Sequence, residues 1–291
     1  FTARFTETQS FTGDLRTTTA AVADGVTVMA TAAVLDGKTV AAAGTGNIAV
    51  TALHSTLAAD LSLLSSASGT VTAAFDASGT FTGNLGNAVV TVADGAVMTA
   101  AYNVLNGKTI NHDGSQDNQG LVVTIGAADA AAVLNTITSD ITNFTASFTE
   151  TQSFTGDLDG KTAAVADAVT VTATAAVLSG ETVVAAGTGN IAVTALHATP
   201  AANLSGLSSA SGTVTAAFDA TGTFTGNLGT AVVTVADGAV MTAAYDVLNG
   251  KTINHDGSEN SQGLVVTIAA AEAAADLNNI TSDIRDFTAR F

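Results

Sequence analysis

The sequence contains no cysteine and no tryptophan, and it has a single proline. Without cysteine there is no disulfide framework, no thiolate nucleophile and no thiolate-ligated metal site. Basic residues are also scarce, since eight Lys and Arg against 25 Asp and Glu give a formal net charge of -17. Nucleic acids and anionic membrane surfaces are bound through clustered cations, so this balance argues against both as partners.

Long apolar runs are missing too. None approaches the roughly 18 residues that a membrane-spanning helix needs, and no signal segment opens the sequence, so we predict no membrane insertion. Hydrophobic residues nevertheless make up 47% of the chain, against 11% charged residues. A chain rich in Ala, Gly, Thr, Ser and Val must bury short apolar side chains continuously along its length, which is typical of a solenoid.

A Val-Ala-Asp segment occurs four times, beginning at Val22, Val92, Val165 and Val235. The copies lie 70, 73 and 70 residues apart, so two sub-repeats make a 143-residue repeat that recurs without insertion or deletion. Self-similarity at a fixed period is the signature of repeat architectures. We therefore predict one continuous solenoid over residues 1–291, with internal repeats 1–143 and 144–286 and a remainder, 287–291, that restarts the repeat.

The sequence of residues 1–5 returns at residues 287–291. A sequence that begins and ends at the same point of its own repeat is expected to be a window from a longer array. Intact-mass analysis of the native polypeptide would contradict this expectation if the chain stopped at Phe291.

Each sub-repeat contains three strand-plus-turn units. Residues 231–235 alternate Val with other small residues, as in a strand with one buried face. The apolar residues of 237–248 fall at helical spacing, with Asp237 as the predicted N-cap, although the equivalent residues 169–177 alternate as a strand would. Helices are also predicted after Thr199-Pro200 and over residues 270–277.

These units predict an α/β parallel solenoid of about twelve strand-plus-short-helix coils. The alternative is an all-β right-handed β-helix, a β-solenoid in which the Asp-led segments are strands. Eight of the twelve Phe occupy one repeated pair of positions, six residues apart, and we expect them to pack in the core. The pairs are Phe5 with Phe11, Phe75 with Phe81, Phe148 with Phe154, and Phe218 with Phe224.

Gly-Lys-Thr, which is part of the phosphate-binding loop motif, occurs at Gly37, Gly107, Gly160 and Gly250. That motif requires another glycine five positions earlier, and all four copies lack it. The tripeptide is expected to end a helical turn, with the Lys near its C-terminus. We therefore do not expect nucleotide binding.

Residues 110–120 and 253–263 form the polar insertions of the chain. Asp113 with Asp117, or Asp256 with Glu259 and Asn260, could hold Ca²⁺, which prefers several carboxylate and carbonyl oxygens. Neither loop has the EF-hand spacing or the Gly-rich nonapeptide of calcium-binding β-rolls. The alternative is a solvated loop with Asp-Gly turns.

Four His recur as two per repeat, at His54, His112, His197 and His255. No second His lies at metal-ligand spacing in the sequence, and no Ser/His/Asp set is organised around any of them. The acidic residues are mostly placed singly. We therefore predict no catalytic residue and no organic cofactor, and expect that the protein is not an enzyme.

The Val-Ala-Asp, Val-Leu-x-Gly-Lys-Thr and Thr-Phe-Thr-Gly-Asn-Leu-Gly copies resemble repeats of giant bacterial cell-surface and extracellular proteins of the adhesin or fibre kind. The resemblance implies a non-catalytic protein located outside the cell or on its surface. We therefore expect a structural segment of an extracellular filament, sheath or surface layer, whose partner is a further copy of itself. Alternatives are the stalk of a cell-surface adhesin and, less favoured, an ice-binding protein or a solenoid enzyme.

Overall fold

A computed structural model describes residues 2–16, 19–114, 118–257, 261–272 and 274–291. The chain divides into two compact units, Phe1–Thr124 with Leu134–Thr145, and Ile125–Val133 with Ala146–Phe291. Both units consist mostly of parallel strands in stacked sheets, with few short helices, and are compatible with a solenoid-like fold. The continuity of the solenoid over residues 1–291 stays a prediction.

The first half of the chain supplies thirteen of the described strands. They are β1 Thr2–Phe5, β2 Gln9–Ser10, β3 Thr19–Val22, β4 Thr27–Thr31, β5 Val40–Ala42, β6 Asn47–Thr51, β7 Leu64–Ser66, β8 Val71–Phe75, β9 Gly79–Phe81, β10 Val89–Val92, β11 Val97–Ala101, β12 Ile110–His112 and β13 Gly120–Ile125. In the first unit β1, β3, β5 and β7 form one sheet, and β2, β4, β6, β8, β10 and β12 form another. Strand β11 lies between β9 and β13.

The later strands repeat this order. They are β14 Asn143–Phe148, β15 Gln152–Ser153, β16 Thr162–Val165, β17 Thr170–Thr174, β18 Val183–Ala185, β19 Asn190–Thr194, β20 Leu207–Ser209, β21 Val214–Phe218, β22 Gly222–Phe224, β23 Val232–Val235, β24 Val240–Ala244, β25 Thr252–His255, β26 Gly263–Thr267, β27 Thr281–Ser282 and β28 Asp286–Arg290. In the second unit one sheet runs from β15 through the odd-numbered strands β17 to β27, and another contains β22, β24, β26 and β28. Strand β18 lies between β16 and β20.

Most strands pair with the strand two places along the chain, so the chain returns to the same sheet after each coil. Thr27 of β4 pairs with Asn47 of β6, and Thr170 of β17 pairs with Asn190 of β19. Alternate residues of each strand point inward, as in β21, where Val214, Ala216 and Phe218 are buried. This period of two puts the apolar residues in the core and leaves Thr and Ala outside.

The helix predicted after Asp237 is wrong. Val240–Ala244 is strand β24, and only Tyr245–Leu248 forms a helical turn, α4. Asp237 caps no helix, because its Oδ1 accepts a hydrogen bond of 2.7 Å from the Ser261 hydroxyl on the next coil. Parallel pairing with β22 and β26 satisfies the backbone of β24 and outweighs the helical spacing. In the other three copies of the Val-Ala-Asp segment, the strand is also followed by a single helical turn. These turns are α1 Ala32–Leu35, α2 Tyr102–Leu105 and α3 Ala175–Leu178.

The two other predicted helices are also wrong within the described residues. After Thr199 the backbone bonds to the neighbouring coil, as where the Pro200 carbonyl accepts the Thr225 N–H at 2.8 Å. In the segment 270–277, Ala270–Glu272 is a 3-10 turn. The remaining 3-10 turns are Leu53–Ser55, Ala127–Asp129, Leu134–Thr136, Leu196–Ala198 and Leu277–Asn279. Of the two predicted solenoids, the all-β alternative is therefore closer to the observed secondary structure than the one with a short helix in each coil.

The repeated Phe pairs lie in the core, as predicted. Phe75, Phe81, Phe218 and Phe224 are fully buried, and Phe148 and Phe154 are each 1% exposed. The rings of Phe148 and Phe154 meet edge to face with centroids 5.1 Å apart. Phe5 with Phe11 shows the same geometry at 5.3 Å, although Phe11 is half-buried.

Among the described residues, every helix is too short to cross a lipid bilayer.

Candidate functional site

Each of the four histidines faces an aspartate that lies 22 or 28 residues later in the chain. This separation matches one coil, so stacking brings the two side chains together. Reasoning from the sequence took each histidine singly and missed these pairs, although the recurring His-to-Asp separation could have revealed them. The pairs are His54 with Asp76, His112 with Asp140, His197 with Asp219, and His255 with Asp283.

The structure also brings a serine to one of these pairs. The Ser55 hydroxyl lies 3.0 Å from Nε2 of His54, whose Nδ1 contacts Oδ1 of Asp76. The prediction that no Ser/His/Asp set surrounds a histidine is therefore wrong at this position. In the second repeat the His197–Asp219 pair recurs, but Ala198 takes the place of the serine.

The two backbone amides beside Ser55 are already hydrogen-bonded, and the arrangement is open to solvent. The Ser55 N–H already donates to the Ala52 carbonyl at 3.0 Å, and the Thr56 N–H donates to the Leu53 carbonyl at 3.1 Å. These two amides are thus not available as an oxyanion hole, which catalysis of acyl transfer requires. The His54 side chain is 30% exposed and that of Asp76 is 48% exposed, so water reaches the arrangement freely.

A polar cavity of about 140 Å³ lies in the second unit. Its lining residues are His255, Gln262, Asp283, Ile284 and Arg285. His255 ends β25, Gln262 precedes β26 and Asp283 follows β27, and because β25 pairs directly with β27, two neighbouring coils supply the cavity wall. Gln262 is 5% exposed, which is unusual for a polar side chain.

Hydrogen bonds fix the orientation of the His255–Asp283 pair. The Gly257 N–H donates to Nδ1 of His255 at 2.9 Å, so in the neutral ring the proton lies on Nε2. Oδ1 of Asp283 accepts the His255 N–H at 2.7 Å, and Oδ2 of Asp283 lies 3.5 Å from Nε2 of His255. A donor and an acceptor therefore stand side by side in the cavity wall.

The residues predicted to bind calcium are only partly described. Asp117, Glu259 and Asn260 lie outside the described residues. Asp256 accepts the Asp237 N–H at 3.2 Å and the Gln262 amide at 3.4 Å, so both of its oxygens already contact protein donors. Within the described ranges, no group of three or more His, Asp or Glu could hold a metal ion. Calcium binding by the two loops, including Asp113, stays a prediction.

Three of the four Gly-Lys-Thr lysines share one role. Lys38, Lys108 and Lys251 donate through Nζ to a backbone carbonyl of the preceding coil at 2.5 to 2.6 Å. The acceptor residues Arg16, Gly86 and Gly229 all have a left-handed backbone, with φ between 52° and 57°. These lysines therefore link one coil to the next.

The position equivalent to Lys38 in the second repeat carries the opposite charge. Glu181 replaces the lysine and faces the turn of Asp157 and Asp159, whose backbone is left-handed at Asp159. Burial and the neighbouring carboxylates of Asp157 and Asp159 raise the pKa of Glu181, although the Gly160 N–H partly opposes this. Oε2 of Glu181 is buried without a hydrogen bond. Lys161 belongs to a Gly-Lys-Thr at a different point of the repeat, and its Nζ lies 3.7 Å from Asp159.

Glu181→Lys is expected to raise the free energy of unfolding at pH 7 by about 1 kcal/mol, because it restores the coil-to-coil hydrogen bond and removes like-charge repulsion. Since the folded-state pKa of Glu181 is raised, its ionised form destabilises the fold as the pH rises through that pKa. The gain should therefore shrink in acid. Urea unfolding at several pH values measures it, and the reciprocal Lys38→Glu variant should lose stability. Equal stability of Glu181→Lys and the wild type at pH 7 would contradict the assignment.

Asp24 and Asp167 occupy equivalent positions and bind the next coil. Oδ1 of Asp167 accepts the Thr188 N–H at 2.7 Å and the Thr188 hydroxyl at 3.0 Å, and Asp24 makes the same two bonds with Thr45. These bonds, the backbone bond foremost, lower the pKa of both carboxyl groups. Each aspartate therefore stabilises the fold in its ionised form.

The double variant Asp24→Asn with Asp167→Asn should lose less stability in acid than the wild type does. A lowered folded-state pKa gives stability that is present above the ordinary Asp pKa, about 3.9, and that is lost as the pH falls through the lowered value. Asn keeps an acceptor oxygen but does not titrate. Denaturant unfolding between neutral pH and strongly acid pH measures the difference. Identical acid dependence of the two proteins would show that these bonds do not contribute.

No family model, curated protein or solved structure matches this chain.

Proposed function

We propose that this chain is a structural segment of a secreted repetitive protein that forms an extracellular filament, sheath or surface layer. In this proposal the coils of each unit are those of a right-handed β-solenoid. The partner is a further copy of the same protein, joined end to end and side by side. The net charge of -17 supports the exclusion of nucleic acid as a partner.

Hydrogen bonds that recur once per sub-repeat support stacking as the assembly principle. A hydroxyl group accepts the backbone N–H of the residue 19 positions later, at 2.9 to 3.0 Å. Because the same bond returns at the same point, each added coil meets matching donors and acceptors. The pairs are Thr8 with Thr27, Ser78 with Val97, Thr151 with Thr170, and Thr221 with Val240.

One uncharged sheet face carries the proposal of lateral association. The odd-numbered strands β15 to β27 form one sheet, and each of them places one outward residue in register with those of its neighbours. None of these seven residues is charged. In a chain of net charge -17, such a face lets two copies approach without desolvating ions. The seven residues are Ser153, Thr172, Ala192, Thr215, Val232, Thr252 and Thr281.

Electron microscopy and sedimentation velocity of the purified chain, with and without EGTA, test this proposal. The wild type should form laterally associated fibres, and Ala192→Lys should disperse them because it places a charge in the middle of the uncharged face. Ser211→Lys is the matched control, since Ser211 is exposed in a turn and outside that face. Dispersed wild-type monomers in both conditions would overturn the proposal. Fibres that EGTA leaves unchanged would remove only the calcium expectation.

We also propose that the Ser55–His54–Asp76 arrangement is structural and not catalytic. Two observations support this proposal. The backbone N–H groups of Ser55 and Thr56 already donate to carbonyl groups of the protein, and Ala198 takes the place of Ser55 in the second repeat. Hydrolysis of p-nitrophenyl acetate should therefore proceed at the same rate with the wild type and with Ser55→Ala. A wild-type rate that falls to the uncatalysed rate in Ser55→Ala would show that the protein is a hydrolase.

The second candidate function is the stalk of a cell-surface adhesin. The polar cavity around His255 and Asp283 favours it, because a filament that only self-associates has no use for a concave group of polar side chains.

A further inference from the structure

The His255–Asp283 pair has a counterpart in the first repeat. The Gly114 N–H donates to Nδ1 of His112 at 2.8 Å, and Oδ1 of Asp140 accepts the His112 N–H at 2.7 Å. Nε2 of His112 then lies 3.6 Å from Oδ2 of Asp140. The same donor and acceptor therefore stand side by side in both units, at positions 143 residues apart.

A buried glutamine accompanies each pair in the sequence. Gln119 is 1% exposed, and neither its amide nitrogen nor its amide oxygen has a hydrogen-bond partner. Leaving a buried polar group without a hydrogen bond is unfavourable, so such a group points to a missing partner. The equivalent Gln262 lines the cavity, where its side chain accepts the Ser261 N–H at 3.3 Å and donates to Asp256 at 3.4 Å. The amide of Gln119 is thus left unsatisfied by the protein alone.

The chemistry of the His–Asp pair selects the type of ligand. Nε2–H of His255 is a donor and Oδ2 of Asp283 is an acceptor, and 3.5 Å is too long for a strong direct hydrogen bond between them. A ligand hydroxyl can accept from Nε2–H and donate to Oδ2 at the same time. A transition-metal ion bound by His255 would need an unprotonated ring nitrogen, but Nδ1 already accepts a hydrogen bond and Nε2 carries the proton. The Asp283 carboxylate and the Arg285 guanidinium both line the cavity, so its wall does not select for a charged ligand of either sign.

The size of the cavity limits the ligand to one small unit. At about 140 Å³ it is well below the roughly 300–1,000 Å³ of pockets for drug-sized ligands. Its wall presents imidazole, carboxylate, amide and guanidinium groups, a mixture of donors and acceptors that suits several hydroxyls on one ring. We propose that this cavity binds a neutral sugar unit of a polysaccharide, and that the equivalent His112–Asp140 pair binds one too. This goes beyond the structural role proposed above and does not depend on fibre formation.

Saturation-transfer NMR on the full chain tests the site with the methyl glycosides of glucose, galactose and mannose, and with acetate as an anionic probe. At least one glycoside should give a signal that titration shows to be saturable. Asp140→Asn with Asp283→Asn should weaken its binding about tenfold, because each change replaces a charged acceptor. Asp76→Asn with Asp219→Asn is the matched control, which alters the other two His–Asp pairs and should bind as the wild type does.

The ring-proton shifts of His112 and His255 in the wild type give a second readout that needs no variant. They should move on addition of the bound glycoside, while those of His54 and His197 should not. Absence of glycoside binding, equal binding by the two double variants, or a signal from acetate alone would each overturn the proposal. Failure of fibre formation in the microscopy experiment would leave this result unaffected.

Discussion

Phe154→Ala is expected to lower the free energy of unfolding by about 3–5 kcal/mol, the cost typical of removing a buried aromatic ring. Phe154 is 1% exposed and its ring meets Phe148 edge to face at 5.1 Å. The substitution removes apolar burial and leaves a cavity, because the neighbouring coils are held in place by their own ladders and can collapse only in part.

The first repeat offers the matched control. Phe11 occupies the equivalent position and makes the same ring contact with Phe5, but it is half-buried. Phe11→Ala should therefore cost less than half as much. Urea unfolding followed by circular dichroism measures both variants. Equal losses of stability would show that burial at this position does not determine the contribution of the ring.

Gly226→Ala is expected to cost about 3 kcal/mol, at the upper end of the usual range for overpacking. A Cβ at this position would lie 2.1 Å from the carbonyl oxygen of Ala202 and 2.7 Å from the carbonyl carbon of Ala201. These atoms are backbone and cannot rotate away. The Asn227 N–H also donates to the Ala202 carbonyl at 2.9 Å, so relief of the clash would lengthen a coil-to-coil hydrogen bond.

Gly13 is the equivalent glycine of the first sub-repeat and supplies the control. The atoms nearest to a Cβ there would belong to the ring of Phe11, at 2.8 Å, and a half-buried ring can shift. Gly13→Ala should therefore be tolerated far better than Gly226→Ala. Thermal unfolding of the two variants measures the difference. If Gly226→Ala unfolds at the wild-type temperature, the coils are not packed as closely as the structure indicates.

The calcium loops are predicted from a local pattern, namely several oxygen-bearing residues in a short turn. In the structure Asp256 accepts hydrogen bonds from Asp237 and Gln262, and calcium binding by the loops stays a prediction. The His–Asp pairs cannot be found from neighbouring residues. Asp76 lies 22 residues after His54, so only the separation that recurs along the chain indicates a contact that depends on the length of one coil.

The sequence by itself determined that the chain is built from equivalent units and that seven of the eight repeated Phe are buried in the core, because both follow from a fixed period and from the burial preference of aromatic side chains. Tertiary structure decided whether the segment after each Val-Ala-Asp is helix or strand. Residues such as Val240–Ala244 have a spacing compatible with both, and only pairing with strands on either side satisfies their backbone groups as a ladder. The tertiary structure also decided which polar side chains contact each other. A coil of about 20 residues brings together side chains that are far apart in the sequence.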